Sequence, residues 1–270
     1  WGAHVPFVFD KDMNRIEESE ELELYKAVNL STNYIGFNMN KEPFNNLKVR
    51  QAINHALDKE SIIEAVLQGS GSVAKGPIGP NVFGANEKLE SYKYDVEKAK
   101  SLLAEAGYPN GFKTTIWTND SAVRMDICTI LQNQLKQIGI EVEVKVVEWG
   151  AYLAGTAKGE HDMFILGWTT VTGDADYGLY SLFHSSQFGD AGNRTFYAND
   201  KIDELLDLGR KSVSPEERVK AYQEVQEIVN DEAPWVFLYN AEYLDGARSN
   251  VKGFIQHPAG HHLLRTVYFE

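Results

Sequence analysis

Cysteine is nearly missing from this sequence: 270 residues contain one, Cys128. A single thiol excludes an internal disulfide and a cysteine metal cluster. Its place among Ile127, Ile130 and Leu131 predicts a core position rather than a reactive one. Basic charge is also short, with 26 lysines and arginines against 39 acidic residues and a net charge of −13. That balance argues against nucleic-acid binding, because neutralising phosphates needs a basic surface. No apolar run approaches the roughly 18 residues of a membrane span. The opening "WGAHVPFVFDKDMNR" has neither the basic start nor the apolar stretch of a signal peptide. It reads as the middle of a strand and the loop after it, so the chain is expected to begin in mid-fold. The Gly-rich piece "GSGSVAKGPIGPNVFG" (69–84) lacks the GK[ST] ending of a phosphate loop and is expected to be a surface loop with turns at Pro77 and Pro80. No internal repeat or low-complexity tract is present.

What is there is an alternation of helix and strand signals. Val49, Ala52, Ile53, Ala56 and Leu57 recur at helical spacing, and Asp58 is placed to cap a following helix that stops near Gly69. Asp95 is an N-cap candidate for a helix ended by Gly107 and Pro109. A βαβαβ pattern follows, with strands near 114–117, 141–148 and 162–168 joined by helices over 121–138 and about 150–157. Strands alternating with helices predict right-handed crossovers and an α/β sheet. Ser214, Pro215 and Glu217 form a capping box at the start of a later helix, which runs into the buried strand "APWVFLY".

The chemical signals sit at strand ends. "GWTTVTGDADYGLY" (167–180) carries Asp174 and Asp176 after a polar turn. A helix-loop-helix calcium site fails there, since position 5 counted from Asp174 is Gly178 and position 12 is Ser185. A carboxylate pair for glycoside hydrolysis stays open on spacing alone, but nothing around it suggests an activated water or a nucleophile. One acid is expected to cap a helix near Tyr177, with Asp176 favoured, which leaves Asp174 for a ligand. His257, His261 and His262 lack a fourth ligand at zinc spacing. No cofactor and no metal is expected. Trp117, Trp149 and Trp168 each stand at the C-terminal end of a strand, where open α/β sheets collect ligands. Three in equivalent places suggest a cleft with aromatic surface, although each alone reads as core. Arg124 lies in the first turns after Asn119–Ser121, where free backbone N–H groups favour an anion. It could equally pair with Asp126 or Asp120.

The segments "YIGFNMNKEPFNNLKVRQAINHALDKESI", "YDVEKAKSLLAEAGYPNGF", "EWGAYL" and "HDMFILGW" resemble the peptide-binding proteins of bacterial ABC importers, solute-binding protein family 5. The likeness covers essentially the whole chain but only about the second half of the family's length. It implies a periplasmic-binding-protein-like (type II) α/β fold: a two-lobed clamshell of which residues 30–241 are the second lobe. Residues 1–29 and 242–270 would then belong to the first lobe, with hinge crossings near Ser31–Asn38 and Leu238–Tyr243. The resemblance further implies a non-enzymatic protein that holds an extended di- or oligopeptide, or a glutathione-like one, between its lobes. It would be exported to the periplasm or outer face of the membrane, held there only by a lipid anchor outside these residues, and partnered by an ABC permease. Its ligand contacts would be Arg124, Trp149, Gly167, Trp168, Thr169 and Thr170. Many members place an aspartate three residues after the strand-end tryptophan to hold the ligand's amino terminus. Here that residue is Val171, and Asp174 is expected to replace it as the fixed charge for a ligand ammonium. The readings of a different class are a hydrolase using Asp174 and Asp176, and a ligand-free scaffold or adhesion lobe.

Overall fold

A computed structural model of the chain describes residues 4–5 and 12–270. Most of the opening stretch read above as strand and loop therefore lies outside the described residues. Strand β1 (His4–Val5), helix α1 (Met13–Glu17) and β2 (Leu22–Val28) precede β3 (Ser31–Phe37). Helices α2 (Leu47–Ala56) and α3 (Lys59–Leu67), the short β4 (Ser72–Val73) and α4 (Val96–Glu105) follow. The alternating segment is β5 (Lys113–Thr118), α5 (Ala122–Lys136), β6 (Glu141–Val146), α6 (Trp149–Ala157) and β7 (Met163–Thr169). Three helices, α7 (Ala175–Phe183), α8 (Asp200–Lys211) and α9 (Pro215–Glu232), lead into β8 (Trp235–Asn240) and β9 (Glu242–Arg248). Short strand pairs complete the tail.

Helix starts follow the capping chemistry expected of them. Asp58, Asp95 and Ser214 accept hydrogen bonds from the backbone N–H of Ser61, Lys98 and Glu217, each relieving one orphan donor of a first turn. Pro215 occupies the first helical position, where its missing N–H costs nothing. Helix α3 ends with Gln68 in the left-handed region at φ 48°, one residue before Gly69.

The main sheet has six strands in the order β4-β8-β3-β7-β5-β6. Strands β5, β6 and β7 run parallel, as the βαβαβ pattern requires, while β3 is antiparallel to β7 and to β8. Period-two alternation sends neighbouring residues into two different cores. Ile35, Met163, Ile165 and Val236 pack with α2 to α5 on one face. Tyr34, Phe164, Leu166 and Trp235 pack with α6 to α9 on the other. A sheet covered on both faces needs near-continuous apolar strands, and β8 is buried at all six positions. Cys128 lies in the first of these cores, fully buried, and burial pushes its thiol up to about 12. The piece 69–84 is not a plain surface loop. Ile78 and Val82 are buried in the second core, and Ser72–Val73 forms the sheet's edge strand, because apolar side chains in an irregular segment bury like any others.

A second sheet, β1-β9-β2, adjoins the first. The chain passes between the two sheets at adjacent places, Asn29–Leu30 and Ala241, where the Asn29 N–H donates to the Ala241 carbonyl (3.1 Å). Buried asparagines tie the crossings together. The Asn29 side chain accepts from the Ser31 N–H (2.8 Å), and the Asn240 amide donates to the Ser31 carbonyl (2.9 Å) and the Thr32 hydroxyl (3.1 Å). The segment Ser31–Asn38 named as a hinge is instead mostly a central strand, paired on both flanks. The change of sheet falls just before it.

Candidate ligand-binding site

At the C-terminal ends of the parallel strands, α5 and α6 begin side by side. Between them opens a cavity of about 380 Å³, bounded by Asn33, Asn119, Ser121, Arg124, Trp149 and Tyr239 among others. Ser121 is the N-cap of α5, yet its side chain makes no capping bond. The first-turn N–H groups of a fifteen-residue helix therefore face this region with their dipole unanswered by a side chain. Arg124 donates to the Asn119 side-chain oxygen (2.9 Å), and its guanidinium lies 5.9 Å from the Trp149 ring centroid. It has no carboxylate within ion-pair distance among the described residues, so the alternative pairing with Asp120 or Asp126 does not occur. Trp149 is itself 42% exposed and stacks on Tyr152 (5.6 Å, 12°). The preceding residue, Glu148, turns back to cap α6, and the N–H groups of Gly150 and Ala151 hold its carboxyl below the usual range.

Next to this cavity runs an open backbone flank. Strand β7 pairs with β3 over its whole length, Met163 to Thr169. Its pairing with β5 stops after Ile116↔Met163 and Trp117↔Phe164. From Ile165 onward the side of β7 that faced β5 carries no strand. In an antiparallel ladder alternate residues turn both backbone groups to the same neighbour. The Ile165 carbonyl accepts from the buried Tyr152 hydroxyl (2.7 Å), which assigns Ile165, Gly167 and Thr169 to the flank away from β3. The Gly167 position is a close approach: a Cβ there would stand 2.6 Å from the Asn33 side-chain oxygen.

The two acids that drew the sequence reading are used differently from the expectation. Asp174, not Asp176, is the N-cap of α7, accepting from the Asp176 N–H (3.0 Å). Arg218 of α9 then donates one terminal nitrogen to both Asp174 oxygens (2.8 and 2.9 Å). The same arginine donates to the Gly209 carbonyl (3.0 Å) and lies 5.1 Å from the Phe83 ring centroid. Asp176 is held in a two-pronged pair by Arg210 (3.0 and 3.1 Å), which covers the Tyr180 ring at 3.5 Å. A carboxylate already closed by an arginine inside the fold is no free anchor for an ammonium. The expectation that Asp174 takes over that task is corrected on this ground.

Of the other residues expected at the ligand, Arg124 and Trp149 meet in the cavity, and Gly167 and Thr169 lie on the adjoining flank. Trp168 packs into the core under α6 to α9, half-buried against Tyr177 (5.2 Å). Thr170 is buried, and its N–H is spent on the Leu30 carbonyl at the crossing (2.9 Å). Both follow from alternation along β7, and neither joins the cavity. Trp117 packs against Gly155 of α6, so only one of the three strand-end tryptophans is presented openly. A larger cavity, about 430 Å³ at Lys59, Ser91 and Tyr94, lies beside the start of α3 and includes none of these strand-end residues. His262 approaches buried Asp245 (3.5 Å), and no group of three metal-ligating side chains forms among the described residues. Asn33, Tyr239, Arg210 and Arg218 were not foreseen. Only Asn33, the polar residue directly before the apolar run "YIGF", carried a local signal.

Comparison with known proteins places this geometry in context. The family model for bacterial extracellular solute-binding proteins, family 5 Middle, matches residues 3–190. The chain is 37% identical over 257 residues to "Heme-binding protein A" of Haemophilus influenzae, covering 93% of this chain and 46% of that protein. It is 31% identical over 273 residues to the "Dipeptide-binding protein" of Escherichia coli, covering 98% and 51%. Among solved structures it superposes on the ABC transporter-associated periplasmic binding protein DppA from Helicobacter pylori in complex with peptide STSA. The TM-score there is 0.87 at 33% identity, over 99% of this chain and 52% of that one. The chain thus spans about half the length of the curated relatives it matches.

Proposed function

The chain belongs to the bacterial extracellular solute-binding proteins, family 5, and from that premise we propose that it captures extended peptides for an ABC importer. The observation that carries this reading is the open flank of β7 at Gly167, lying beside Arg124 and the uncapped start of α5. A peptide laid along that flank adds a strand, gaining backbone hydrogen bonds that do not depend on its sequence. Its carboxylate end meets the guanidinium of Arg124, and a charge-assisted bond of this kind contributes about 1.5–3 kcal/mol. Trp149 offers an apolar wall to a side chain.

In this reading residues 30–241 form one lobe, residues 1–29 and 242–270 belong to its partner lobe, and the site closes between them. The complete protein works outside the cytoplasm, delivers its peptide to a membrane permease and carries out no chemistry. The peptide-bound structural relative supports the ligand class. The test is a titration of trialanine against a trialanine methylated at its central peptide nitrogen, followed by chemical shifts of the labelled chain. Strand addition predicts at least tenfold weaker binding of the methylated peptide, with shifts centred on Gly167. Equal binding of the two would sink it.

A further inference from the structure

We propose that the cavity beside the start of α3 is a second ligand site, separate from the strand ends and independent of the peptide reading. Its ligand class is a small monocarboxylate with an aromatic or branched apolar body. The cavity measures about 430 Å³, within the range of small-molecule sites. Lys59 is its defining group, and only 5% exposed. A lysine ammonium carries three donors. Among the described residues this one meets a single neutral acceptor, the Ser91 hydroxyl (2.8 Å), and no carboxylate within ion-pair distance. Lys59 and Ser91 both bound the cavity, and Lys75 and Lys93 add positive charge to its walls. A buried ammonium answered only by a hydroxyl costs free energy that an anion entering beside it would offset. Burial accordingly lowers the Lys59 pKa to about 8.

The walls are fixed by the fold. Val73 belongs to the edge strand β4 and pairs with Tyr239 of β8. The segment 90–94 is pinned at two points: His55 Nδ1 bonds the Lys93 carbonyl (2.8 Å), and the Tyr92 hydroxyl donates to the Asn230 carbonyl (3.0 Å). Leu57, Val73 and the ring of Tyr94, which is 45% exposed, give an apolar body a surface to lie against. The site is not uniformly basic. Asp58 spends its carboxylate on the Ser61 N–H at the start of α3 (3.1 Å), and Glu60 and Glu90, both exposed, also bound the cavity. With these acids nearby, each further charge on a ligand meets repulsion as well as attraction, which favours a monoanion over a dianion.

The experiment titrates the labelled chain with benzoate, benzamide and inorganic phosphate, following the amide shifts of Lys59, Ser91 and Tyr94. The benzoate titration is repeated by calorimetry at pH 6.5 and 8.5 in buffers of different ionisation enthalpy. Benzoate is expected to bind at least tenfold more tightly than benzamide or phosphate. A carboxylate beside Lys59 favours the charged amine, so binding should take up about half a proton at pH 8.5 and almost none at pH 6.5. Around Lys59 stand Asp58, Glu60, Lys75, Glu90 and Lys93, together with His55 and Tyr92. Burial lowers the His55 pKa and raises that of Tyr92, so the first is neutral and the second protonated at pH 8.5. Lys59→Met should abolish the preference for benzoate over benzamide and unfold at no lower urea concentration, because it removes a buried charge. If that variant does not fold, the proton uptake of the parent still decides. Equal binding of benzoate and benzamide, tighter binding of phosphate, or benzoate binding without proton uptake at pH 8.5 overturns the proposal. Absence of any shift at Ser91 does the same, and none of these outcomes touches the strand-end site.

Discussion

Arg124 and Arg218 occupy nearly the same place on two helices, three residues past the N-cap Ser121 in one case and four past Ser214 in the other. Their fates differ. Ser214 caps its helix and Arg218 is closed by Asp174, the Gly209 carbonyl and the Phe83 ring. Ser121 leaves its helix start uncapped, and Arg124 stands over Trp149 without a carboxylate partner among the described residues. One region spends its charges on holding α7, α9 and the loop at Phe83 together. The other leaves Arg124 with the neutral Asn119 oxygen and the first-turn N–H groups of α5 without a side-chain cap. The lesson is that a charged residue is closed into the fold or left open according to whether a counter-charge is brought to it by the packing. Residue type and helix position do not decide.

If closure decides, the cost of disturbing an ionisable group should rank with how closed it is. His161 is the extreme. It is fully buried, and burial first, then Lys41, lowers its pKa to about 3. The unfolded histidine titrates near 6.5, so between roughly 6.5 and 3 the unfolded state binds a proton that the folded state refuses. Stability is therefore fully present above the unfolded value and falls as the pH falls, by up to about 1.4 kcal/mol per pH unit from this group. From pH 6.5 to 4.5 the expected loss is about 2–3 kcal/mol. Urea unfolding at several pH values should show a shallower acid slope in His161→Leu. Parallel slopes in the two proteins would break the ranking at its top.

Next comes Asp174→Ala, which removes a cap and the partner of Arg218. A loss of about 2 kcal/mol in unfolding free energy is expected, with trialanine affinity unchanged within about twofold. A tenfold loss of affinity at undiminished stability would return Asp174 to the ligand. Arg124→Gln should show the converse, a tenfold or greater loss of affinity, equivalent to about 1.4 kcal/mol, and a stability change under about 0.5 kcal/mol. A destabilised Arg124→Gln with normal binding would erase the distinction between the two regions. Smallest is Asp176→Asn. Its arginine partner is 45% exposed, and such surface pairs contribute about 0–1 kcal/mol. A loss above about 2 kcal/mol would show that this pair belongs with Asp174 after all.

Helix and strand assignments were legible because their causes are local. The strands near 114–117, 141–148 and 162–168 appear as β5, β6 and β7 in one sheet, and the caps at Asp58, Asp95 and Ser214 are made as expected. Period-two and period-3.6 apolar patterns report burial directly, and a cap needs only the next three residues. The family was legible too, because motifs such as "HDMFILGW" and "YDVEKAKSLLAEAGYPNGF" are contiguous. Arg124 and Trp149 stand at helix starts after strands, and both border the cavity between α5 and α6.

What the sequence by itself determined is therefore the order of elements, their amphipathic faces and the kind of protein they build. Tertiary structure alone decided which charges are spent. Asp174 and Arg218 are 44 residues apart, and only the packing of α7 on α9 brings their atoms to 2.8 Å. Likewise, the open flank at Gly167 exists because β5 stops pairing after Trp117, a matter of relative strand length and register that no single segment records. Ion pairs and sheet edges depend on distances between remote parts of the chain, whereas caps and periodicity depend on neighbours within a few residues.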